Sequence, residues 1–171
     1  RSAVDLAVAA AQAALKDIGA AKIDQVIVGN VLSAGRGMNI ARQIAVKVGV
    51  PLEQTAFTVN MMCASGMQAV ILAAQAITAG EAHVILCGGT ESMSQYPLVY
   101  TYSAAVKFAQ LNKARTPIQK VKALAAFRPS DFSPRIGLLL GLTDPFCGMN
   151  MGETAELIGR EAGIDREQQD A

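Results

Sequence analysis

The strongest constraint on this chain is an alternation. In its first half, runs whose apolar residues recur at helical spacing take turns with short β-branched runs. Val4, Val8, Ala11, Leu15 and Ile18 recur at helical steps behind Ser2 and Asp5, a pairing of the capping-box kind, and Gly19 can end that helix. "DQVIVGNVL" has the character of a buried strand. "NIARQIAVKVG" returns to helical spacing through Ile40, Ile44 and Val48, and Gly49 with Pro51 stops it. "TAFTVN" is a second strand. The helix after it sets Met67, Val70, Ile71, Ala74 and Thr78 along one face and closes at Gly80, and "HVILCGG" is a third strand. The order αβαβαβ, with short connections, predicts an α/β layered fold around a largely buried sheet.

A chain of 171 residues fits one domain with a real core. A formal net charge of +1 provides no global field directed at nucleic acid or a membrane. "IGLLLGL" is typical of the apolar runs, all far short of the roughly 18 residues that span a bilayer. The opening "RSAVDLAVAAAQAALKDIGA" has no initiator Met, and Asp5 breaks the apolar stretch a signal peptide needs, so it reads as an amphipathic helix. Cys63, Cys87 and Cys147 are widely spaced and odd in number, which argues against a disulfide framework; no C-x-x-C pair suggests zinc. A reducing setting, cytosolic (cytoplasmic) or organelle matrix, is expected.

The character changes after "GGTESMS". Five prolines (Pro97, Pro117, Pro129, Pro134, Pro145) fall between residues 93 and 148. So do Lys107, Lys113, Arg115, Lys120, Lys122, Arg128 and Arg135, against only Asp131 and Asp144. This reads as a long irregular insertion, either a functional lid or a solvated basic surface. A basic stripe also suits RNA, but no aromatic-rich binding motif accompanies it. Further on, "GETAELIGREAG" is a helix closed by Gly163, and "DREQQDA" opens another with Asp165 as N-cap and Gln168 in the reciprocal position. That last helix stops before it buries anything and reads as truncated.

The chemistry concentrates in "TVNMMCASGMQAV", Thr58 to Val70. A strand followed by a helix from about Cys63 puts the sulfur at a helix N-terminus, where unpaired N–H groups and the dipole favour a thiolate. Ala64, Ser65 and Gly66 are small, leaving room for a bulky reactant, and Gly66 lets a neighbouring backbone pack closely. The arrangement resembles a nucleophile elbow without the G-x-S-x-G wording. The same position suits a small core residue, because free cysteines are among the most buried side chains, and position alone leaves both roles open. Cys87 reads as strand core, and Cys147 has no assigned role. A nucleophile also needs a base and an oxyanion site. The single histidine, His83, opens the third strand, and nothing in the sequence aims it at Cys63. Either Cys63 is structural or its partners lie outside these residues.

These residues resemble a known family. "NMMCASGMQAV" is similar to the thiolase acyl-enzyme motif N-x-x-C-x-S-G-x-x-A through Asn60, Cys63, Ser65, Gly66 and Ala69. "GNVLSAGRGMNIARQIAVKVGVP" resembles the segment before the nucleophile strand, and "GGTESMS" the segment after the following strand. "GLTDPF…NMGETAE…GIDREQQDA" resembles the thiolase loop domain. The similarity runs along nearly the whole chain, weakest over residues 95 to 135. Several ordered motifs together are far more specific than any one of them.

The resemblance implies a thiolase-like layered αβα fold. Residues 1–92 are then the N-terminal domain without its first strand, and residues 93–171 the beginning of a substrate-covering loop domain. It implies an acyltransferase acting on coenzyme A thioesters, in which Cys63 attacks a 3-oxoacyl-CoA carbonyl and carries the acyl group, with its own backbone N–H on a thioester oxygen. Asn60, Ser65 and Gly66 support the motif. Asn150 and Met151 stand where the family contacts the pantetheine region, Asn150 replacing a histidine common in short-chain members. Asn can hydrogen-bond but carries no charge at pH 7, and ordinary packing accounts for Met151 equally well. Acyl-CoA and coenzyme A are implied as substrates, with no metal or redox cofactor, in a homodimer or homotetramer; no nucleic acid or membrane partner is expected.

The family's G-H-P histidine and C-x-G-G-G cysteine belong to its C-terminal half, and neither motif occurs here. The chain therefore reads as an internal fragment unable to complete turnover alone. Two other readings stand beside this one: a decarboxylating ketosynthase-type condensing enzyme, and a non-catalytic thiolase-like acyl-CoA-binding subunit.

Overall fold

The three β-branched runs form strands β1 (Gln25–Gly29), β2 (Thr55–Val59) and β3 (Ile85–Gly89). All are parallel, in the order β2-β1-β3, with Ile27 opposite Phe57 on one side and Cys87 on the other. The computed structural model describes all 171 residues, and the chain divides into two units, Arg1–Tyr96 and Pro97–Ala171.

Helices α1 (Ala3–Ala14), α2 (Ile40–Val48) and α3 (Ser65–Thr78) alternate with the strands of the first unit. Alternation along β1 divides the core. Val26 and Val28 pack with Val4, Ala11, Leu15, Ile40 and Ile44 of the α1–α2 layer, while Ile27 packs with Ala69 and Ala73 of α3. The result is a layered α/β/α arrangement. No helix is long and apolar enough to cross a membrane.

Three expectations change here. The sheet is buried only along Val26–Gly29 of β1; β2 exposes Thr55 and Phe57, and β3 is half-buried from Ile85 to Gly88, because each edge strand has a single neighbour. Ile18 is exposed rather than part of the helical stripe, since α1 stops at Ala14 and passes into turn. The side chains expected on the core face of α3 point the other way: Met67, Val70, Ile71, Ala74 and Thr78 are exposed, as is Ile77, and Ser65, Ala69 and Ala73 face the sheet.

The caps follow the sequence more closely. Ser2 Oγ accepts from the Asp5 N–H at 3.1 Å. Asp5 is shorter than the Glu or Gln of a full capping box; its carboxylate accepts the Ser2 hydroxyl at 2.7 Å and lies 3.1 Å from Lys47 Nζ on α2. Asn39, itself left-handed (φ 49°), caps α2 by accepting from the Arg42 N–H and donates to the Ala56 carbonyl of β2 at 2.7 Å.

The second unit is not the irregular insertion that its prolines suggest. It contains helices α4 (Tyr102–Lys113), α5 (Pro117–Ala125), α6 (Gly137–Leu142), α7 (Met151–Ala162) and α8 (Arg166–Asp170), with a short antiparallel pair of β4 (Leu98–Val99) and β5 (Arg135–Ile136). Pro117 occupies the first turn of α5 behind a Thr116–Gln119 capping box, where its missing N–H costs nothing. Phe108 forms edge contacts with Tyr100, Phe127 and Phe132, making a small aromatic core. Lys107 donates to the buried Asp131 at 2.6 Å, so part of the basic stretch is internal architecture. The Lys107 contact and the Arg128 N–H hold the Asp131 carboxyl below the usual carboxylate range.

Candidate active site

Strand β2 ends at Val59 and the chain reverses through Asn60, Met61 and Met62 before α3 begins at Ser65. Met62 takes a left-handed conformation (φ 51°), one of two non-glycine residues to do so. Cys63 follows it and is exposed. The helix starts two residues later than the sequence suggests, so Cys63 precedes the first turn. Ala64, at the N-cap, offers no side-chain acceptor; the Ser65 N–H is held instead by the Met62 carbonyl at 3.0 Å.

The neighbours of Cys63 in the motif have distinct positions. Asn60 is exposed, and its Oδ1 accepts from the Met62 N–H at 3.1 Å. Ser65 is buried; its Oγ accepts from the Met61 N–H at 2.8 Å and donates to the Met62 carbonyl at 2.6 Å. Gly66 lies against Gly89 of β3, where an added Cβ would meet the Gly89 Cα at an ordinary 3.7 Å.

The tightest contact lies elsewhere. A Cβ on Gly29 would fall 2.5 Å from the Ser65 carbonyl oxygen and 2.6 Å from the Gly66 N. The end of β1 therefore lies directly against the first turn of α3, and only glycine fits there. At Gly89 the same test gives 3.1 Å to the Gly66 Cα.

Glu91 is a second feature that the sequence did not single out. Its carboxylate accepts from Asn30 Nδ2 (2.9 Å), the Val31 N–H (2.9 Å) and the Leu32 N–H (3.1 Å). It thus ties the segment after β1 to the segment after β3, on the same edge of the sheet as Cys63. An acid just beyond a Gly-Gly strand end is the signal that marks it.

His83 is exposed and precedes β3, whereas Cys63 follows β2. In a parallel sheet these are opposite ends, separated by five strand residues, or roughly 16 Å at the rise of a strand. The His83 and Val84 N–H groups are held by Asp24 Oδ2, and these two bonds lower the Asp24 carboxyl. Cys87 is half-buried within β3, where burial raises its thiol pKa, and Cys147 is exposed in a loop.

Asn60, Cys63, Ser65 and Gly66 are thus assembled within the first unit. Asn150 and Met151 lie in the second, at the start of α7. Asn150 is its N-cap, accepting from the Glu153 N–H at 3.0 Å while Glu153 accepts from the Asn150 N–H at 2.8 Å. Its carboxamide oxygen is therefore engaged by the helix. Met151 is exposed.

The family model described as thiolase, N-terminal domain, matches residues 1–171. The chain belongs to the thiolase family. It is 42% identical over 154 residues to an acetyl-CoA acetyltransferase of Syntrophomonas wolfei, covering 90% of this chain and 35% of that protein. With an acetyl-CoA acetyltransferase of Rhizobium meliloti the figures are 40% over 168 residues, 97% and 38%. The crystal structure of Acat5 thiolase from Ascaris suum in complex with coenzyme A aligns with a TM-score of 0.77 at 32% identity, covering 99% of this chain and 39% of that one. The Bacillus anthracis acetyl-CoA acetyltransferase also gives 0.77, at 30% identity, with 99% and 38% covered. The chain spans 35% to 39% of the length of these thiolase relatives. A thiolase-like α/β fold with a parallel sheet is what the family resemblance in the sequence implied.

Proposed function

We propose that the protein carrying this chain transfers acyl groups between Cys63 and coenzyme A. It cleaves 3-oxoacyl-CoA to acetyl-CoA and acyl-CoA, or runs the reverse Claisen condensation. The observation that carries the reading is the place of Cys63: exposed, behind a left-handed Met62, at an uncapped helix start, in a chain matched throughout by the thiolase N-terminal domain. The names of the relatives, acetyl-CoA acetyltransferases and a thiolase bound to coenzyme A, support it.

In this reading the Cys63 thiolate attacks the C3 carbonyl carbon of the substrate. The C2–C3 bond breaks, its electron pair remains on C2, and C2 takes a proton and leaves as acetyl-CoA. The acyl group stays on Cys63 as a thioester. The thiol of a second coenzyme A then attacks that thioester and frees Cys63. No histidine in the chain is near enough to act as base, so the proton transfers fall to the family's G-H-P histidine and C-x-G-G-G cysteine. Coenzyme A is substrate rather than cofactor. Asn150 and Met151 contact its pantetheine arm, Asn150 through the NH2 group that the α7 cap does not use. The reading also carries a reducing compartment and a homodimer or homotetramer.

The test is thiolysis of acetoacetyl-CoA by the full-length protein. Activity that falls to background in Cys63→Ser supports the proposal. Undiminished activity in that variant, or none in the wild type, overturns it.

A further inference from the structure

Asn60 and Ser65 converge on one residue. Both backbone polar groups of Met62 are held by side chains: its N–H by Asn60 Oδ1 at 3.1 Å, its carbonyl by the Ser65 hydroxyl at 2.6 Å. The same Ser65 Oγ accepts from the Met61 N–H at 2.8 Å, so one hydroxyl spans the reversal. Ser65 is 4% exposed, and its backbone is fixed from the far side by Gly29, where no Cβ fits. A buried hydroxyl that is both donor and acceptor, on a backbone that cannot shift, is a rigid template. What it holds is a methionine at φ 51°, a conformation that this side chain disfavours and that persists only where its surroundings impose it. Cys63 is the next residue, so the φ of Met62 sets the direction in which the thiol leaves the chain.

We propose that Asn60 and Ser65 are positioning residues for Cys63, acting through Met62: they clamp it in the left-handed region and so aim the thiol. This rests on the acyltransferase reading of the site. Neither residue touches substrate in this account. Its particular consequence concerns residue 62. Glycine adopts positive φ without strain, so Met62→Gly should make the clamp dispensable.

The experiment uses the full-length protein and acetoacetyl-CoA. Ser65→Ala should lower kcat roughly 10- to 100-fold, the scale of an ångström-level misplacement, with KM changed less than about twofold. Asn60→Ala, an exposed change that leaves the fold intact, should give a smaller loss of the same kind. Adding Met62→Gly to either variant should restore kcat to within roughly threefold of the single Met62→Gly protein, because the clamp is then redundant. Full rates in both alanine variants overturn the proposal, as does a loss that Met62→Gly leaves unrelieved, the behaviour of a purely structural serine. If Ser65→Ala does not fold, the Asn60→Ala pair decides. If the wild type shows no turnover and no acylated Cys63, the acyltransferase reading fails by itself. The clamp is then judged from crystals of Asn60→Ala and Ser65→Ala: positive φ kept at Met62 in both overturns it, and its loss supports it.

Discussion

Gly29 shows how a residue without a side chain can set the seat of a helix. Its Cα occupies space against Ser65 and Gly66 that no other residue can share. Gly29→Ala drives a methyl group into helix backbone rather than a movable side chain, and should destabilise the full-length protein by about 1–3 kcal/mol, read from its denaturation midpoint. A neutral substitution would mean that α3 is not seated on β1 as described. Cys63, Ser65 and Gly66 were legible in the sequence because they share one short motif. Gly29 was not, because a glycine at a strand end announces only that the strand stops, and its partner lies far along the chain. The roles of Asn60 and Ser65 were hidden similarly: the motif names them, but only the backbone of Met62 shows what they hold.

At the scale of elements, the order αβαβαβ and most helix ends were readable, since caps such as Ser2 and Asp165 are local. The buried face of α3 was not. Hydrophobic periodicity selects the large apolar side chains, but the close approach at Gly29 and Gly89 admits only small ones beneath the helix. Ala69→Leu should therefore cost about 1–3 kcal/mol in a denaturant titration, despite raising hydrophobicity; an unchanged midpoint would refute the tight seating. The irregular reading of the basic segment failed because Pro117 and Pro129 begin helical turns rather than break them.

The α1–α2 junction adds a pH dependence. The Ser2 hydroxyl and then Lys47 lower the Asp5 carboxyl to about 2. Its folded value lies below the unfolded value, so the contribution is complete above roughly pH 4 and is lost as pH falls toward 2. The pair is exposed and salt-screened, so the effect is small. The Tm difference between wild type and Asp5→Asn should narrow over that window. A difference unchanged down to pH 2 would contradict the assignment.

For the whole molecule, α3 is apolar on both sides. Its alanines meet the sheet, while Met67, Val70, Ile71 and Ile77 remain exposed, as does Phe57 on β2. A helix that is apolar all round belongs inside a protein, and the relatives are more than twice as long as this chain. The 171-residue chain produced alone should therefore self-associate in sedimentation velocity. Replacing Met67, Val70 and Ile71 with Gln should relieve that association, and a monodisperse wild-type monomer would contradict it. Cys63 lies two residues ahead of α3, so whatever covers the apolar outer face of that helix also comes close to the Cys63 thiol. The most direct test of the central claim is mass spectrometry of the full-length protein after incubation with acetoacetyl-CoA and without free coenzyme A. The account predicts one acetyl group, on the peptide that contains Cys63. An unmodified Cys63, or an acetyl group on Cys87 or Cys147 instead, would contradict it.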